Sequence, residues 1–382
     1  MNVNMLHLKK TVFQPCCVAL LTLGLFFAPP VSVAAASKPW RIAMIVGGPT
    51  FEYQIALQGF AERLAELGII AAGAVPLPDA GHSLAPMWQW LAENAGGDTI
   101  RFMADAFYSP EWNPDRRLEV KKGLLERLDR GDIDCVLALG TWGGQDIGLE
   151  PLQIPVLVFS ASNAVEAGII PSPDDSGRDN LLAVVEPGRY KNQVRIFHNL
   201  IGFSKLGIVY EDTASSRSSI ALKDIEAAVG EAGVELMRCV DVFDIEEADL
   251  AVSRLRTCHE DFVKQGADAV YLTFNRGLSD KSAAHVLEPL IKACLPTFAQ
   301  EGSFMVKRGA LLSMTNDASG KGEGFFAAGA LEKILGGSPP RSLSQRHEST
   351  VSLAVNLRTA ARIGWNLPME ILAAVDEFYR DF

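Results

Sequence analysis

The chain has 382 residues, with 35 basic and 46 acidic side chains for a formal charge of −11, and 48% of its residues are hydrophobic. A chain this acidic repels nucleic acid and anionic membrane surfaces over a Debye length, and no later run of Lys or Arg reverses that locally, so nucleic acid is not an expected partner. The length exceeds what one hydrophobic core usually organises, and two domains are expected.

At the N-terminus Lys9 and Lys10 precede an apolar run from Val18 to Ala28, and small residues ending in Ala34, Ala35 and Ala36 follow. That is the layout of a secretory signal peptide over residues 1–36, with cleavage expected after Ala36 and delivery to the periplasm. The run is too short, and too interrupted by Pro29 and Pro30, to hold a membrane-spanning helix of about 20 residues. Cys16 and Cys17 precede it, so neither stands where a lipid-bearing cysteine would. Without residues 1–36 the chain keeps 33 basic and 46 acidic side chains, or −13.

From Trp40 onward, short β-branched runs alternate with longer segments of helical period, the pattern of an α/β fold with parallel sheets. Residues 41–46 (RIAMIV), 69–75, 99–104, 135–140 and 155–160 (PVLVFS) read as a first set of strands. In the segment after the first of these, Ile55, Leu57, Phe60, Leu64 and Leu67 recur at helical spacing, Glu62, Arg63 and Glu66 take the other face, and Gly68 stops the helix. Between Leu77 and Pro114 the chain is rich in aromatics (Trp88, Trp90, Phe107, Tyr108, Trp112) and reads either as a lip over a cleft or as an insertion packed on its own flank.

The polar stretch 171–180 (PSPDDSGRDN) predicts a loop and a crossing between lobes. LLAVVEP then restarts the alternation, and strands follow at 205–212, 234–242, 268–274, 295–300 and 310–315. Next come a helix ending near Leu335 and Gly336, a Gly-Ser-Pro-Pro linker, a strand around TVSLAVNL and a closing helix. Cys135 sits in an apolar strand and reads as a buried free thiol. Cys239 and Cys258 could form a disulfide in an oxidising compartment, but spacing alone leaves that pairing open.

Open parallel sheets place ligands at the carboxyl ends of their strands. Those ends carry Gly47 to Tyr53, including Thr50, Phe51 and Glu52; then Thr141 and Trp142; then Ser160, Ser162 and Asn163. In the second set they carry Glu211, Asp212 and Ser215; Asn275 and Arg276; and Gln300, Glu301 and Ser303. Small hydroxyls, amides and aromatics suit a modest polar ligand in a closing cleft, although each could equally cap a helix. Enzyme motifs are absent: no G-x-S-x-G elbow and no H-E-x-x-H stand in the chain, and histidines 82, 198, 259, 285 and 347 are scattered. Neither a metal nor a cofactor is expected. The glycines of GKGEGF (320–325) match no phosphate-loop spacing and read as a flexible helix start.

The segments IALQGFAERLAELG, IPVLVFSASNAVEAGII and GFSKLGIVYED, with the tail VSLAVNLRTAARIGWNLPMEIL, resemble in order and spacing the substrate-binding proteins of ABC transporters, in their tryptophan-binding-like group. The resemblance implies a type I periplasmic binding fold: two doubly wound, Rossmann-like lobes joined by a hinge, with a cleft between them. Lobe one would combine residues 38–164 with 302–337, and lobe two 165–301 with 338–382. It implies a monomeric, non-enzymatic receptor that passes a small molecule, an amino acid or similar, to an ABC permease in the inner membrane. A periplasmic sensing subunit with the same fold is the alternative. By position, Thr50, Phe51, Thr141, Trp142, Ser160, Ser162, Asn163, Ser215, Asn275 and Gln300 are the expected ligand contacts. Asn275 and Asn163 stand where the family often has aspartates that could meet an amine, which makes a neutral or anionic ligand, stacked on Phe51 or Trp142 and balanced by Arg276, as plausible as an amino acid. Glu211 and Glu301 remain as possible amine partners.

Overall fold

The protein is described by a computed structural model covering residues 38–71, 75–78, 82–243, 245, 247–315, 320–348 and 351–381. The expected signal peptide lies outside these residues. Twelve strands can be followed among them. β1 (Trp40–Val46), β2 (Ile100–Tyr108), β3 (Cys135–Leu139), β4 (Val156–Phe159) and β5 (Leu181–Ala183) form one sheet in the order β2-β1-β3-β4-β5, parallel throughout. A second sheet holds β6 (Lys205–Tyr210), β7 (Glu235–Val240), β8 (Ala269–Leu272), β9 (Thr297–Ala299), β10 (Leu312–Thr315), β11 (Ser352–Asn356) and β12 (Val375–Tyr379). Its order is β12-β11-β10-β9-β8-β6-β7, with β10 and β11 its antiparallel pair.

Central parallel strands are covered by helices on both faces, so they are apolar at every position rather than at alternate ones. Ile42 to Val46 in β1 and all of β3 and β4 are buried. One face of the first sheet carries the helix Phe51–Glu66, whose Phe60 stacks on Phe159 of β4 at 5.7 Å between ring centres. That helix also meets Gly322–Leu335 at very short range. A Cβ on Gly324 would stand 1.9 Å from the Ala56 carbonyl oxygen, and one on Gly59 would stand 2.6 Å from that of Lys321. Gly324, read from sequence as part of a flexible helix start, is therefore a close-packing residue, and Glu323 beside it lines the cleft.

Several expectations need correction. No strand forms at 69–71, because both edges of β1 are already taken, by β2 and β3; Ile69 instead closes the preceding helix by donating to the Leu64 carbonyl at 2.9 Å. The closing helix is Leu357–Ile363, and beyond it the short helix Met369–Leu372 leads to β12, which runs parallel to β11. The sheets also divide the chain elsewhere than expected: β5 belongs to the first sheet and β10 to the second. The chain thus passes between sheets after β5, after β10 and before β11. The first and third of these passages lie side by side, with Val185 donating to the Gln345 carbonyl and His347 donating back to that of Val185, each at 2.9 Å.

Cys239 and Cys258 form a disulfide with their Cα atoms 5.7 Å apart, joining edge strand β7 to the helix Ala248–Gln265. Cys135 is a buried free thiol and Cys294 an exposed one. Two stability outcomes follow. Replacing both Cys239 and Cys258 by Ala should lower the unfolding free energy by about 3 kcal/mol, the loop-closure value for roughly 20 residues, measured by denaturant titration. Gly324→Ala, which has no room for its methyl group, should cost about 1–3 kcal/mol in the same titration.

Candidate functional site

The carboxyl ends of both sheets face a cleft that holds two adjoining cavities of about 380 and 150 Å³. Thr50, Phe51, Glu52, Phe274, Glu301 and Phe304 line both of them and so form the wall they share. The floor of the larger cavity comes from the paired passages between the lobes and from the start of Gly322–Leu335.

From β1 the chain turns through Gly47 and Gly48 into Thr50, the N-cap of Phe51–Glu66, whose hydroxyl accepts from the Glu52 N–H at 3.3 Å. The same hydroxyl donates to the Glu52 carboxylate. Only glycine fits at 47 and 48, since a Cβ there would lie 2.5–2.6 Å from the Trp112 ring. Trp112 fastens the turn by donating its indole N–H to the Pro49 carbonyl at 3.0 Å. Of the two readings of the aromatic stretch, each holds in part: Trp112 lines the smaller cavity, while Trp88 is buried in the first lobe and donates to the Met103 carbonyl.

Ser160 follows β4 with φ of 59°, a conformation that costs a non-glycine residue energy and tends to persist at functional sites. Arg189 opens the helix Arg189–Ile201 just after β5, and its guanidinium meets Glu186 at 3.2 Å and Glu323, across the cleft, at 3.6 Å. Glu186 also pairs with His347 at 2.6 Å. Gln193, fully buried on the same helix, donates to the carbonyls of Gln300 and Met314 at 3.2 and 2.7 Å. This ties Arg189's helix to the ends of β9 and β10 and fixes where Glu301 stands.

Burial raises the pKa of Glu52, Glu301 and Glu323 above the usual carboxylate range. For Glu301 the repulsion of Glu52 adds to burial, Arg189 opposes it, and the result is a group pushed up to about 8. Four buried polar atoms on residues lining the cavities lack a hydrogen-bond partner: Arg189 Nε, Gln300 Nε2, Glu301 Oε1 and Glu377 Oε1.

Of the expected contacts, Thr50, Phe51, Thr141, Ser160 and Ser162 line the larger cavity, and Asn275 and Gln300 the smaller. Trp142, Asn163 and Ser215 line neither. Trp142 is packed between the edge of Trp112 and the guanidinium of Arg117, 4.5 Å over its ring. Asn163 accepts from the Glu166 N–H at 3.0 Å, and its carbonyl takes a hydrogen bond from Ser218 of the opposite lobe. Ser215 lies on the helix Ala214–Ser219, where Ser219 is the residue reaching the cavity. Asn275 is occupied by its own turn, accepting from Gly277 and donating to Thr273. Arg276 donates to the Ile245 carbonyl, and Glu211, accepting from Phe243 at 2.9 Å, lies off both cavities.

Glu186, Arg189, Tyr190, Glu323, His347 and Glu377 were missed, and with them the charge of the cleft. Assigning β5 to the first sheet would have exposed Glu186 and Arg189 as strand-end residues. Among the described residues no group of His, Cys, Asp and Glu has the makings of a metal site.

A carboxyl group held neutral in the fold but ionised in the unfolded chain favours unfolding as pH rises between its two pKa values. The unfolding midpoint of the ligand-free protein should therefore fall between about pH 5 and pH 8, and Glu301→Gln should flatten that fall in thermal scans across the range.

Comparison with known proteins identifies the arrangement. The model of the family described as ABC transporter substrate binding protein matches residues 117–378. A conserved domain protein from Vibrio cholerae O1 biovar eltor is similar in structure, with a TM-score of 0.68 at 15% identity, covering 89% of this chain and 100% of that one. The ABC domain in complex with L-Trp from Streptococcus pneumonia gives 0.67 at 15% identity with the same coverage. An ABC transporter solute binding protein from R. palustris in complex with benzoate gives 0.54 at 12% identity, covering 83% and 92%. At such identities the likeness is one of fold, the type I periplasmic binding architecture. No curated protein sequence matches the chain. The family model spans well over half of the chain, which belongs to the substrate-binding proteins of ABC transporters.

Proposed function

We propose that the protein captures a small polar or aromatic molecule, an amino acid or one of similar size, between its lobes in the periplasm and delivers it to an ABC permease of the inner membrane. The observation that carries this reading is the pair of adjoining cavities, walled by both lobes and lined by buried polar atoms that no protein group satisfies. A ligand that supplies those hydrogen bonds is favoured because it relieves polar groups already stripped of water. The fold neighbours that hold L-Trp and benzoate support a ring-bearing ligand, as do the faces of Phe51, Phe274 and Phe304.

Export is supported by the signal-peptide layout of residues 1–36 and by the Cys239–Cys258 disulfide, which persists in an oxidising compartment. No helix among the described residues is long and apolar enough to cross a membrane. The protein acts as a monomeric, non-catalytic receptor without nucleic-acid partners: its family is a binding class, and its charge is −13 without the first 36 residues. The contacts assigned to the ligand are Thr50, Phe51, Thr141, Ser160, Ser162 and Gln300, joined by Glu52, Arg189, Glu301 and Glu323.

Thermal unfolding of residues 37–382 against amino acids, amines, nucleosides, aromatic acids and short peptides tests the reading. A ligand at a hundredfold excess over its dissociation constant stabilises by about 2.7 kcal/mol, and one chemical class should produce such a shift. Phe51→Ala should then weaken that ligand at least tenfold, while Trp142→Ala should lower stability with little effect on affinity. A library that leaves the midpoint unmoved would overturn the proposal.

A further inference from the structure

We infer that the wall between the two cavities is a seat for a cationic nitrogen, and that the ligand is an organic amine or ammonium rather than an α-amino acid zwitterion or a carboxylate. This rests on the reading of the cleft as a ligand site and narrows the class of ligand.

The charge balance of the cleft comes first. Six carboxylates line the two cavities, those of Glu52, Glu186, Asp280, Glu301, Glu323 and Glu377, against three permanent cations. Asp280 is matched by Arg308 at 3.0 Å. Of the three cations, Arg189 is shared by Glu186 and Glu323, Arg276 is turned to the Ile245 carbonyl, and Lys307 is exposed at the rim. Glu52 and Glu301 are left on the shared wall, where burial raises the proton affinity of both and Glu52 raises that of Glu301 further. A ligand carboxylate would add one more negative group to an excess of them. An ammonium between Glu52 and Glu301 would instead remove the repulsion that burial amplifies.

The surroundings of the two carboxylates agree with that chemistry. Phe51 and Phe304 stand with ring centres 5.4 Å apart, and with Phe274 they complete the wall. Aromatic faces beside carboxylates attract ammonium and quaternary ammonium groups through the ring quadrupole. Independent of the acidic groups, Gln300 points to a ligand. It is fully buried, its Oε1 is held by the Phe274 N–H at 3.0 Å, and its Nε2, on the wall of the smaller cavity, has no partner. That amide asks for an acceptor, such as a carbonyl, hydroxyl or ring nitrogen, on the body that carries the cation.

An arriving cation must displace the proton that Glu301 holds in the empty cleft, where Glu52 and Glu323 favour the proton and Arg189 opposes it. Capture is then coupled to proton release, and affinity tightens by up to about tenfold per pH unit between pH 6 and 8.

The test is isothermal titration of the purified protein with matched sets of probes: phenethylamine, phenylalanine and 3-phenylpropionate; tryptamine, tryptophan and indole-3-propionate; choline, betaine and butyrate. In at least one set the cation should bind at least tenfold tighter than its zwitterion and acid. Titration in buffers of different ionisation enthalpy should then show close to one proton released at pH 7, lost in Glu301→Gln together with at least tenfold in affinity. Unfolding of that variant at pH 5, where Glu301 is neutral, should match the parent and so separates loss of charge from loss of fold. If a zwitterion or acid binds as tightly as its amine, the charge inference fails and the inter-lobe site stands. If no probe binds and the broader library shifts nothing, both fail.

Discussion

A guanidinium taken out of water must be matched by charge and hydrogen bonds or it destabilises the structure that holds it, and Arg189 imposes that condition on the whole cleft. It starts the first helix of the second lobe, yet one of its partners, Glu323, starts a helix packed on the first. Its other partner, Glu186, sits on the passage between lobes and is held in turn by His347 on the adjacent passage. The relative placement of the lobes, the course of both passages and the ends of β9 and β10, tied through Gln193, are therefore adjusted to one buried ion cluster. A mismatch in any of these would leave a charge buried without compensation, which costs far more than the pair itself contributes.

The electrostatic character of the cleft reverses what two amides in the chain suggest. Asn163 and Asn275 stand where the family often has carboxylates, but both are consumed locally, one under Glu166 and the other in its own turn. The acidic groups arrive from different elements: Glu52 from a helix start, Glu301 from the end of β9, Glu323 from a second helix start and Glu377 from the last strand. Charge at a site assembled between lobes is a property of the fold, and single strand ends do not report it.

The same contrast marks how far the chain could be read beforehand. Alternation of apolar runs and helical periods located most of the strands, because central parallel strands must be apolar on both faces and such runs are hard to mistake. Thr50, Phe51, Thr141, Ser160, Ser162 and Gln300 were reachable by the strand-end rule, since it depends only on order along the chain. What escaped is what sequence distance hides. β5 and β10 changed sides because a three- or four-residue strand carries no mark of which sheet it joins. Glu186 and Arg189 were lost with that assignment, and β12, whose VDEFY does not alternate, was absorbed into a helix. Gly324 was legible as a glycine but not as a contact, which requires the second helix to be in place.

The interleaving of the two lobes bears on how the protein is made. The first sheet is complete once β5 has been synthesised, but the helix Gly322–Leu335 that covers one of its faces comes some 140 residues later. The second sheet is complete only once β12 has been made. The first lobe cannot bury the face under Gly322–Leu335 until that helix has been made, and the contact between Phe51–Glu66 and Gly322–Leu335 is among the most distant in sequence, hence among the slowest to form. No single truncation of this topology yields either lobe intact.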